Sequence, residues 1–361
     1  MPRVLRYALL SVAAIAIGLV ALVYALTWHP AEREPATLAC TGDVAQVQPG
    51  QALKVMTWNL QYLAGKRYVF YYDLANGSGP DERPTREDLA YNLDEVVRVV
   101  REEQPDILNL QELHEGAKAT DYQDQLALLQ ERLADLYPCT SQAFYWKAAF
   151  VPDPHIFGSV GTKLTTLSRF RIANAERLQL PELQQFPLRQ LFAPKRALLV
   201  SQLPIRGGGN LTVINTHLDA HTEGQDVQQR QLAMVRAQLD SLQTEGKIWL
   251  LGGDLNLLPP GQLDHLAASQ QARYPRDTPL QALWEHYPMV PSIDEASGPE
   301  QASWYTHFPN DPRVDRPDRT LDYVFHSPHL TRIDARVRQQ DTLGISDHLP
   351  LIARFLLPPA Q

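Results

Sequence analysis

After residue 52 the chain alternates between two hydrophobic patterns, which predict strands interspersed with helices. Apolar and polar residues alternate over Leu53–Asn59, and an apolar run covers Ile248–Leu251, as is typical of half-buried and fully buried strands. Further elements are predicted as helices over 85–104, 121–137 and 225–243, a hairpin joining 196–203 to 211–215, and strands over 107–110, 158–167, 303–306, 321–326 and 351–355. Because no repeat interrupts the pattern, we expect one domain over residues 52–361.

The first thirty residues form a separate unit in this prediction. Tyr7–Trp28 contains no charged residue and is long enough to cross a bilayer as a helix, and Arg3 and Arg6 precede it. Because positive residues stay in the cytoplasm, residues 1–30 are predicted to be a cytoplasmic tip and a transmembrane signal anchor, with the body in the periplasm or outside the cell. A cleaved signal peptide is the alternative, although its apolar region normally spans only ~7–15 residues.

Residues 31–51, rich in Pro, Glu, Ala and Gln, are predicted to be a linker with no core of its own. The only two cysteines of the chain are Cys40 and Cys139. Export would make a disulfide between them possible, and two buried thiols are the alternative. Two thiols alone do not make a metal site.

Composition and charge limit the classes of function. The 361 residues are 44% hydrophobic, which is ample for a large core, and the net charge is -8. An acidic body disfavours sequence-independent binding of nucleic acid, which usually relies on a basic face. A local basic groove remains open as an alternative, with six candidate residues: Lys163, Arg169, Arg171, Lys195, Arg196 and Arg206.

The segment Gly252–Asn256 follows the buried strand over 248–251 and carries two polar side chains. If the strand continues, Asp254 and Asn256 point to the same side while Leu255 points into the core. The two glycines leave room for a ligand or another backbone to approach closely. The alternative is an ordinary turn after a strand.

Polar side chains follow several other predicted strands in the same way. They are Asn59, Glu112, His217, Asp322, and Asp347 with His348. Several acids at one edge of a sheet repel one another unless a cation lies between them. Oxygen ligands without cysteine favour Mg²⁺ or Mn²⁺ over zinc. Taken singly, His217 is also compatible with a core histidine, and Asp322 with a carboxylate that accepts from backbone amides.

An unusual loop over 65–84 combines Lys66 and Arg67 with four aromatic residues. Such a cluster can bind a substrate or lie at a lipid interface, and it can equally pack a loop onto its domain. Lys66 and Arg67, with Arg169 at the end of the strand over 158–167, are therefore weak candidates for substrate binding.

These motifs, in this order, resemble the endonuclease/exonuclease/phosphatase superfamily, and the anchor would make the chain a membrane-bound bacterial member. The resemblance covers about residues 53 to 356 and rests on six segments: 57–59, 106–112, 215–217, 252–256, 321–323 and 346–348. It implies an α/β fold of four layers, in which two mixed β-sheets pack face to face with helices outside. It also implies a metal-dependent hydrolase acting on phosphoric esters.

The resemblance further implies a role for each residue. Glu112, with Asn59 and Asp347, would hold Mg²⁺ or Mn²⁺. Asp254 would deprotonate the attacking water, and Asn256 would hold that water or a phosphate oxygen. His348, paired with Asp322, would stabilise charge on the phosphate, and His217 would contact the phosphate or protonate the leaving oxygen.

Three functions follow as hypotheses. The first is a membrane-tethered phosphoesterase acting outside the cytoplasm on a lipid head group or a small diester, with no protein partner implied. The second is an extracytoplasmic nuclease, which needs the local basic groove. The third is a catalytically inactive binding module, which is disfavoured because every expected site position is filled.

Overall fold

Two mixed β-sheets pack face to face in the computed structural model, which describes residues 3–74, 76–220 and 226–360. The strands are β1 (Arg33–Pro35), β2 (Thr37–Cys40), β3 (Ala52–Asn59), β4 (Ile107–His114), β5 (Cys139–Val151), β6 (Gly158–Ser168), β7 (Asn174–Gln179), β8 (Ala197–Pro204), β9 (Asn210–His217), β10 (Ile248–Asp254), β11 (Met289–Val290), β12 (Asp322–His326), β13 (Thr331–Val337) and β14 (Leu351–Leu356). The helices are α1 (Arg3–Leu26), α2 (Arg86–Glu103), α3 (Gln125–Leu133), α4 (Pro187–Gln190), α5 (Val227–Thr244), α6 (Ala268–Gln271), α7 (Gln281–Trp284) and α8 (Ile293–Ser297).

Each sheet has a parallel pair of strands at its centre. The first sheet runs β1-β7-β8-β9-β10-β12-β11 and the second β13-β14-β3-β4-β6-β5-β2. In the first sheet β9 and β10 are parallel, in the second β3 and β4 are parallel, and the other pairs are antiparallel. Because the ends of parallel strands meet at one edge, the residues that follow β3, β4, β9 and β10 lie together.

Apolar side chains divide the domain into four layers. Val55, Leu250 and Val324 belong to the core between the sheets. A second core packs α2 and α3 on the sheet of β3 and β4, and a third packs α5 on the sheet of β9 and β10. The predicted fold class, two mixed sheets with helices outside, is confirmed.

A layer of buried polar side chains lies between the sheets beneath the polar strand ends. Gln111 Nε2 donates to Asn215 Oδ1 over 2.7 Å and to Thr57 Oγ1 over 3.1 Å. Asn215 Nδ2 donates in turn to the backbone oxygens of Leu110 and Thr165. The three bonds made by Asn215 cross from one sheet to the other, so they fix the sheets relative to each other beneath the site.

The predicted helices form with small changes of boundary. α2 begins after Thr85, whose hydroxyl accepts from the backbone N–H of Asp88, as the capping signal predicts. The helices predicted over 121–137 and 225–243 are α3 and α5, of which α3 is shorter than predicted. The short strand predicted over 303–306 is wrong, because Gln301–Trp304 forms a 3-10 helix.

The first helix, α1, is 24 residues long and has no buried residue. By length and composition it can cross a membrane, as a signal sequence also can. Its apolar surface therefore has no partner within the described part of the chain.

The segment 31–51 does not behave as the predicted linker without a core. β1 pairs with β7 at the edge of one sheet, β2 pairs with β5 at the edge of the other, and Val47 is fully buried between them. The prediction fails because backbone hydrogen bonds at sheet edges hold three-residue and four-residue strands that have no hydrophobic pattern. Cys40 and Cys139 form a disulfide, which is the first of the two predicted alternatives.

Candidate active site

The predicted strand-end residues meet at one edge of the two sheets. Asn59 ends β3, His217 ends β9 and Asp254 ends β10, and Asp322, which begins the antiparallel β12, pairs directly with Asp254. Glu112 lies near the end of β4, and the loop before β14 brings Asp347 and His348. These residues lie in or beside one cleft of about 920 Å³.

Asp254 is the centre of this arrangement. Its Oδ2 atom lies 3.1 Å from Nδ2 of Asn59, 3.3 Å from Nε2 of His217 and 3.4 Å from Nε2 of His348. Burial, with help from the charge of Asp322, raises the pKa of Asp254 to about 7, although His348 acts in the opposite direction. A carboxylate with this pKa can take up a proton near neutral pH.

His348 lies between acids. Burial by itself would lower its pKa, but Asp322, Asp254 and Asp347 outweigh burial and raise the pKa of His348 well above its ordinary value. Its Nδ1 atom lies 2.7 Å from Oδ2 of Asp322. The imidazole is therefore a fixed positive charge at the cleft.

His217 has the opposite character. Burial, and then the positive charges of Arg196 and His348, lower the pKa of His217 well below its ordinary value. Its Nδ1 atom lies 3.2 Å from the hydroxyl of Tyr145 and 3.7 Å from Oε1 of Glu112. A neutral imidazole can contact a phosphate oxygen as a hydrogen-bond donor but cannot supply a proton as an acid, which favours the first of its two expected roles.

Two acids lie beside the same cleft, Glu112, which is half-buried, and Asp347, which is buried. The backbone of Glu112 has φ 61°, within an irregular stretch of the pairing of β4 with β6. Burial, and then the charge of Asp347, raise the pKa of Glu112 to about 7, and burial also raises the pKa of Asp347. The strand bulge thus turns a carboxylate toward a second one.

The side-chain amide of Asn59 lies between two acids of the site. Its Oδ1 atom accepts from the backbone N–H of Gln61, which fixes the orientation of the amide. Its Nδ2 atom donates to Glu112 over 3.1 Å and to Asp254 over 3.1 Å. Asn59 therefore orients the two acids through its amide nitrogen, and its role as a metal ligand stays a prediction.

The donor set fits a divalent cation. Glu112 and Asp347 offer hard oxygen atoms, and burial raises the pKa of both carboxyl groups, an effect that a bound cation would oppose. Two groups of closely spaced ligand atoms also occur in the described residues, namely His307 with Asp347 and His348, and Asp254 with Asp322 and His348. His348, which belongs to both groups, carries a positive charge, so Glu112 and Asp347 are the better pair for a metal.

The segment Gly252–Asn256 differs locally from the prediction. β10 ends at Asp254, and Asn256 has φ 52°, so strand alternation does not orient it. Instead its backbone N–H donates to Asp254 Oδ1 over 2.9 Å and its amide donates to the oxygen of Leu218. Gly253 is required by a neighbouring backbone, since a Cβ there would lie 2.0 Å from the oxygen of Thr216.

The three weak candidates for substrate binding do not lie together. Lys66 reaches the site region, where its Nζ atom donates to the oxygen of Pro309 over 2.7 Å and burial lowers its pKa to about 8. Arg67 instead pairs with Asp88 at the start of α2. Arg169 lies at the opposite edge, where its side chain approaches Asp106, because β6 runs antiparallel to β4.

The basic groove proposed for a nuclease does not form from its six residues. Lys163 pairs with Glu115 and Lys195 with Glu182, while Arg169, Arg171 and Arg206 follow strand ends away from the cleft. Arg196 alone of the six lines the cleft, where it pairs with Asp219 over 2.9 Å.

Sequence reasoning missed several residues of the site. Tyr145 contacts His217, and Asp73 is a buried acid whose pKa burial and Asp347 raise to about 7. His307 packs edge-on against His348 with ring centres 4.6 Å apart. Alternation along β5 could have indicated Tyr145, whereas no local pattern indicates the other two.

Comparison with known proteins identifies the family of the chain. The sequence matches the Endonuclease/Exonuclease/phosphatase family over residues 56–348. Comparison with curated proteins gives no match.

Solved structures share the fold. An endonuclease/exonuclease/phosphatase from Beutenbergia cavernae has a TM-score of 0.58 and 22% identity, covering 85% of this chain and 72% of that one. The human Nocturnin catalytic domain has a TM-score of 0.51 and 19% identity, covering 89% and 97%. TDP2 from Caenorhabditis elegans has a TM-score of 0.51 and 18% identity, covering 85% and 76%.

Proposed function

Because this chain belongs to the endonuclease/exonuclease/phosphatase family, we propose that it is a membrane-tethered, divalent-metal-dependent phosphoesterase. The reaction is hydrolysis of a phosphodiester or phosphomonoester by attack of water. The observation that carries the proposal is the environment of Asp254, whose Oδ2 atom lies within 3.4 Å of His217 and His348 while its pKa is raised to about 7.

Asp254 is the general base in this proposal. It takes a proton from the water as the oxygen attacks phosphorus, and the bond from phosphorus to the leaving oxygen breaks. Asn59 and the backbone N–H of Asn256 hold the carboxylate in place. A base with a pKa near neutrality is partly unprotonated at neutral pH and still has a strong enough affinity for the proton to take it from water during the attack.

His348 and His217 bind the phosphate in this proposal. The imidazolium of His348 stabilises the negative charge that grows on the phosphate oxygens, and Asp322 preserves that positive charge. His217, neutral and oriented by Tyr145, donates a hydrogen bond to another phosphate oxygen. A Mg²⁺ or Mn²⁺ ion held by Glu112 and Asp347 would neutralise further charge on the phosphate.

The location proposed for the domain is outside the cytoplasm, with α1 as an uncleaved anchor. Arg3 and Arg6 at the beginning of α1 favour a cytoplasmic N-terminus, and the disulfide between Cys40 and Cys139 suits an oxidising compartment. Protease added to spheroplasts should digest the domain, whereas protection of the domain would reverse this topology.

Hydrolysis of bis(p-nitrophenyl) phosphate and of p-nitrophenyl phosphate tests the reaction. The full chain in detergent is the appropriate sample, because residues 31–51 are part of the sheets. Cleavage should require Mg²⁺ or Mn²⁺, stop with chelator, and fall by at least about 10³-fold in Asp254→Asn and His348→Ala.

Metal binding and stability separate loss of chemistry from loss of folding. Mg²⁺ or Mn²⁺ should raise the melting temperature of the wild type, and Glu112→Gln should reduce that rise. Asp334→Asn, at an exposed pair with Arg354, is the control and should behave as wild type. Full activity in Asp254→Asn would overturn the proposed base.

A further inference from the structure

The residues that directly follow α1 contact the domain. The backbone of Thr27 pairs with Ala148 on β5, and the Trp28 ring lies 5.0 Å from the guanidinium of the buried Arg177. The oxygen of Glu32 then accepts from the backbone N–H of Gln179, and β1 continues the sheet. The point at which α1 would emerge from a bilayer therefore lies against β5.

Exposed aromatic side chains lie close to that point. Phe150 follows Ala148 by two residues, or about 7 Å along a strand, and its ring centre lies 5.0 Å from that of Phe157 across the tip of the β5–β6 hairpin. The two side chains belong to residues that are 46% and 62% exposed. The turn at Asp153, whose carbonyl oxygen accepts from the N–H of Phe157, holds the tip in this shape.

A second segment, which contacts β5, carries two more exposed apolar side chains. Phe186 and Leu188, at and within α4, are 67% and 45% exposed. The segment is held beside β5, because Nε1 of Trp146 donates to the oxygen of Phe192 over 2.7 Å. Within the described ranges, the three exposed phenylalanines of the chain are all on these two segments.

The two segments also border the catalytic cleft. Its lining includes Ile156 and Phe157 from the hairpin and Arg189 and Phe192 from the second segment. Basic groups accompany the aromatic ones, since Nζ of Lys118 donates to the oxygen of Phe157. Aromatic side chains with nearby lysine and arginine are typical of surfaces that lie at the head-group level of a membrane.

We propose that Phe150, Phe157, Phe186 and Leu188 form a membrane-contact rim that enters the head-group region of the bilayer crossed by α1. The cleft then opens toward the membrane and takes phosphate esters that carry an apolar chain. The choice of a bilayer over a second protein rests on continuity with α1, whose surface has no buried residue and whose end lies beside the rim. The substrate class rests on the proposed phosphoesterase reaction, whereas the contact with the bilayer rests only on the proposed anchor α1.

Spin labelling of the full chain in liposomes tests the contact directly. Both native cysteines are in the disulfide, so a single introduced cysteine is the only thiol to label. Nitroxides at Phe150→Cys and Phe157→Cys should collide more often with oxygen than with a water-soluble nickel chelate. Ile333→Cys, on β13 at the far edge of the same sheet and 47% exposed, is the matched control and should show the reverse order.

Enzyme assays test the substrate class separately. The ratio of hydrolysis of hexadecyl p-nitrophenyl phosphate in phosphatidylcholine vesicles to that of bis(p-nitrophenyl) phosphate in solution should fall about tenfold in a Phe150→Glu/Phe186→Glu variant. Ile333→Glu should keep the wild-type ratio, and an unchanged ratio in the rim variant would overturn the substrate class.

The two proposals fail in different ways. Labels at 150 and 157 that are as accessible to the nickel chelate as the label at 333 overturn the membrane contact, whatever the activity. Immersed labels on a protein that hydrolyses neither ester uphold the contact and overturn the proposed function.

Discussion

The Nδ1 atom of His348 lies 2.7 Å from the Oδ2 atom of Asp322, and both residues are buried. The other ring nitrogen of His348 lies 3.4 Å from Asp254. Asp322 thus fixes the imidazole at one nitrogen and leaves the other directed at the proposed base. Among the acids that raise the pKa of His348 against the effect of burial, Asp322 has the largest effect.

Asp322→Asn should keep the shape of the pocket and remove this charge. The pKa of His348 should then fall, so the alkaline limb of the kcat/KM profile should move to lower pH and the rate above neutral pH should drop by about 10²- to 10⁴-fold. Asp106→Asn is the control, since its carboxylate accepts from the backbone N–H of Lys54 at the opposite edge of the sheet. An unmoved alkaline limb in Asp322→Asn would contradict this role.

Tyr145→Phe should lower kcat, because the hydroxyl of Tyr145 positions His217. The hydroxyl of Tyr145 lies 3.2 Å from Nδ1 of His217, and a hydrogen bond of this kind contributes about 1 kcal/mol, so kcat should fall about threefold to tenfold. Tyr137→Phe removes a comparable buried hydroxyl, which donates to the oxygen of Pro105 far from the cleft. Tyr137→Phe should lower stability by about 1 kcal/mol and leave kcat unchanged. Equal effects of the two variants on kcat would contradict the role of Tyr145 in positioning His217.

The sequence predicts the residues at strand ends well, because parallel neighbours bring their ends to one edge. Asp254 and His217, from β10 and β9, meet for this reason. The position of Arg169 could not be predicted in the same way, because the direction of β6 relative to β4 decides which edge its end reaches. Pairing direction depends on the whole sheet and leaves no local pattern.

The hydrophobic periodicity of the sequence also does not predict contacts made by short or irregular segments. β1 and β2 have three and four residues and join sheet edges through backbone bonds, which do not depend on side-chain pattern. The amide orientation of Asn59 depends on the backbone N–H of Gln61, in a turn with positive φ. The sequence therefore indicates which residues lie together at the candidate site, while these bonds decide which group each atom of Asn59 faces.

Gly253→Ala should destabilise the domain strongly. A Cβ at this position would lie 2.0 Å from the backbone oxygen of Thr216 on the neighbouring strand, and the residue has a φ of +153°. Because a strand backbone cannot move aside, we expect a loss of about 3 kcal/mol or more in unfolding free energy. Gly344→Ala is the matched control, with open space around its Cβ, and should change stability by less than about 0.5 kcal/mol. Urea denaturation of both variants provides the comparison.

His326 should make the domain less stable in mild acid. Burial lowers its pKa, and its ring lies 4.8 Å from Phe355. Since the unfolded chain has the higher pKa, its contribution to stability is complete above about pH 6.5 and decreases as the pH falls below that value, by at most about 1.4 kcal/mol per pH unit. His326→Gln should remove part of this slope in unfolding measurements between neutral and mildly acidic pH. A steeper slope in the variant would reverse the sign inferred for His326.

Removing the disulfide should loosen the N-terminal segment as well as the whole domain. Cys40 and Cys139 are 99 residues apart and join β2 to β5 at the edge of a sheet. Opening so long a loop increases the entropy of the unfolded chain, so Cys40→Ser/Cys139→Ser should lower the unfolding free energy by about 2–4 kcal/mol. Because β1 and β2 are short edge strands, the variant should also be cut by trypsin at Arg33 sooner than the wild type. Reduction of the wild type should reproduce both effects, and a variant as stable and as resistant as the wild type would show that edge pairing alone holds residues 31–51.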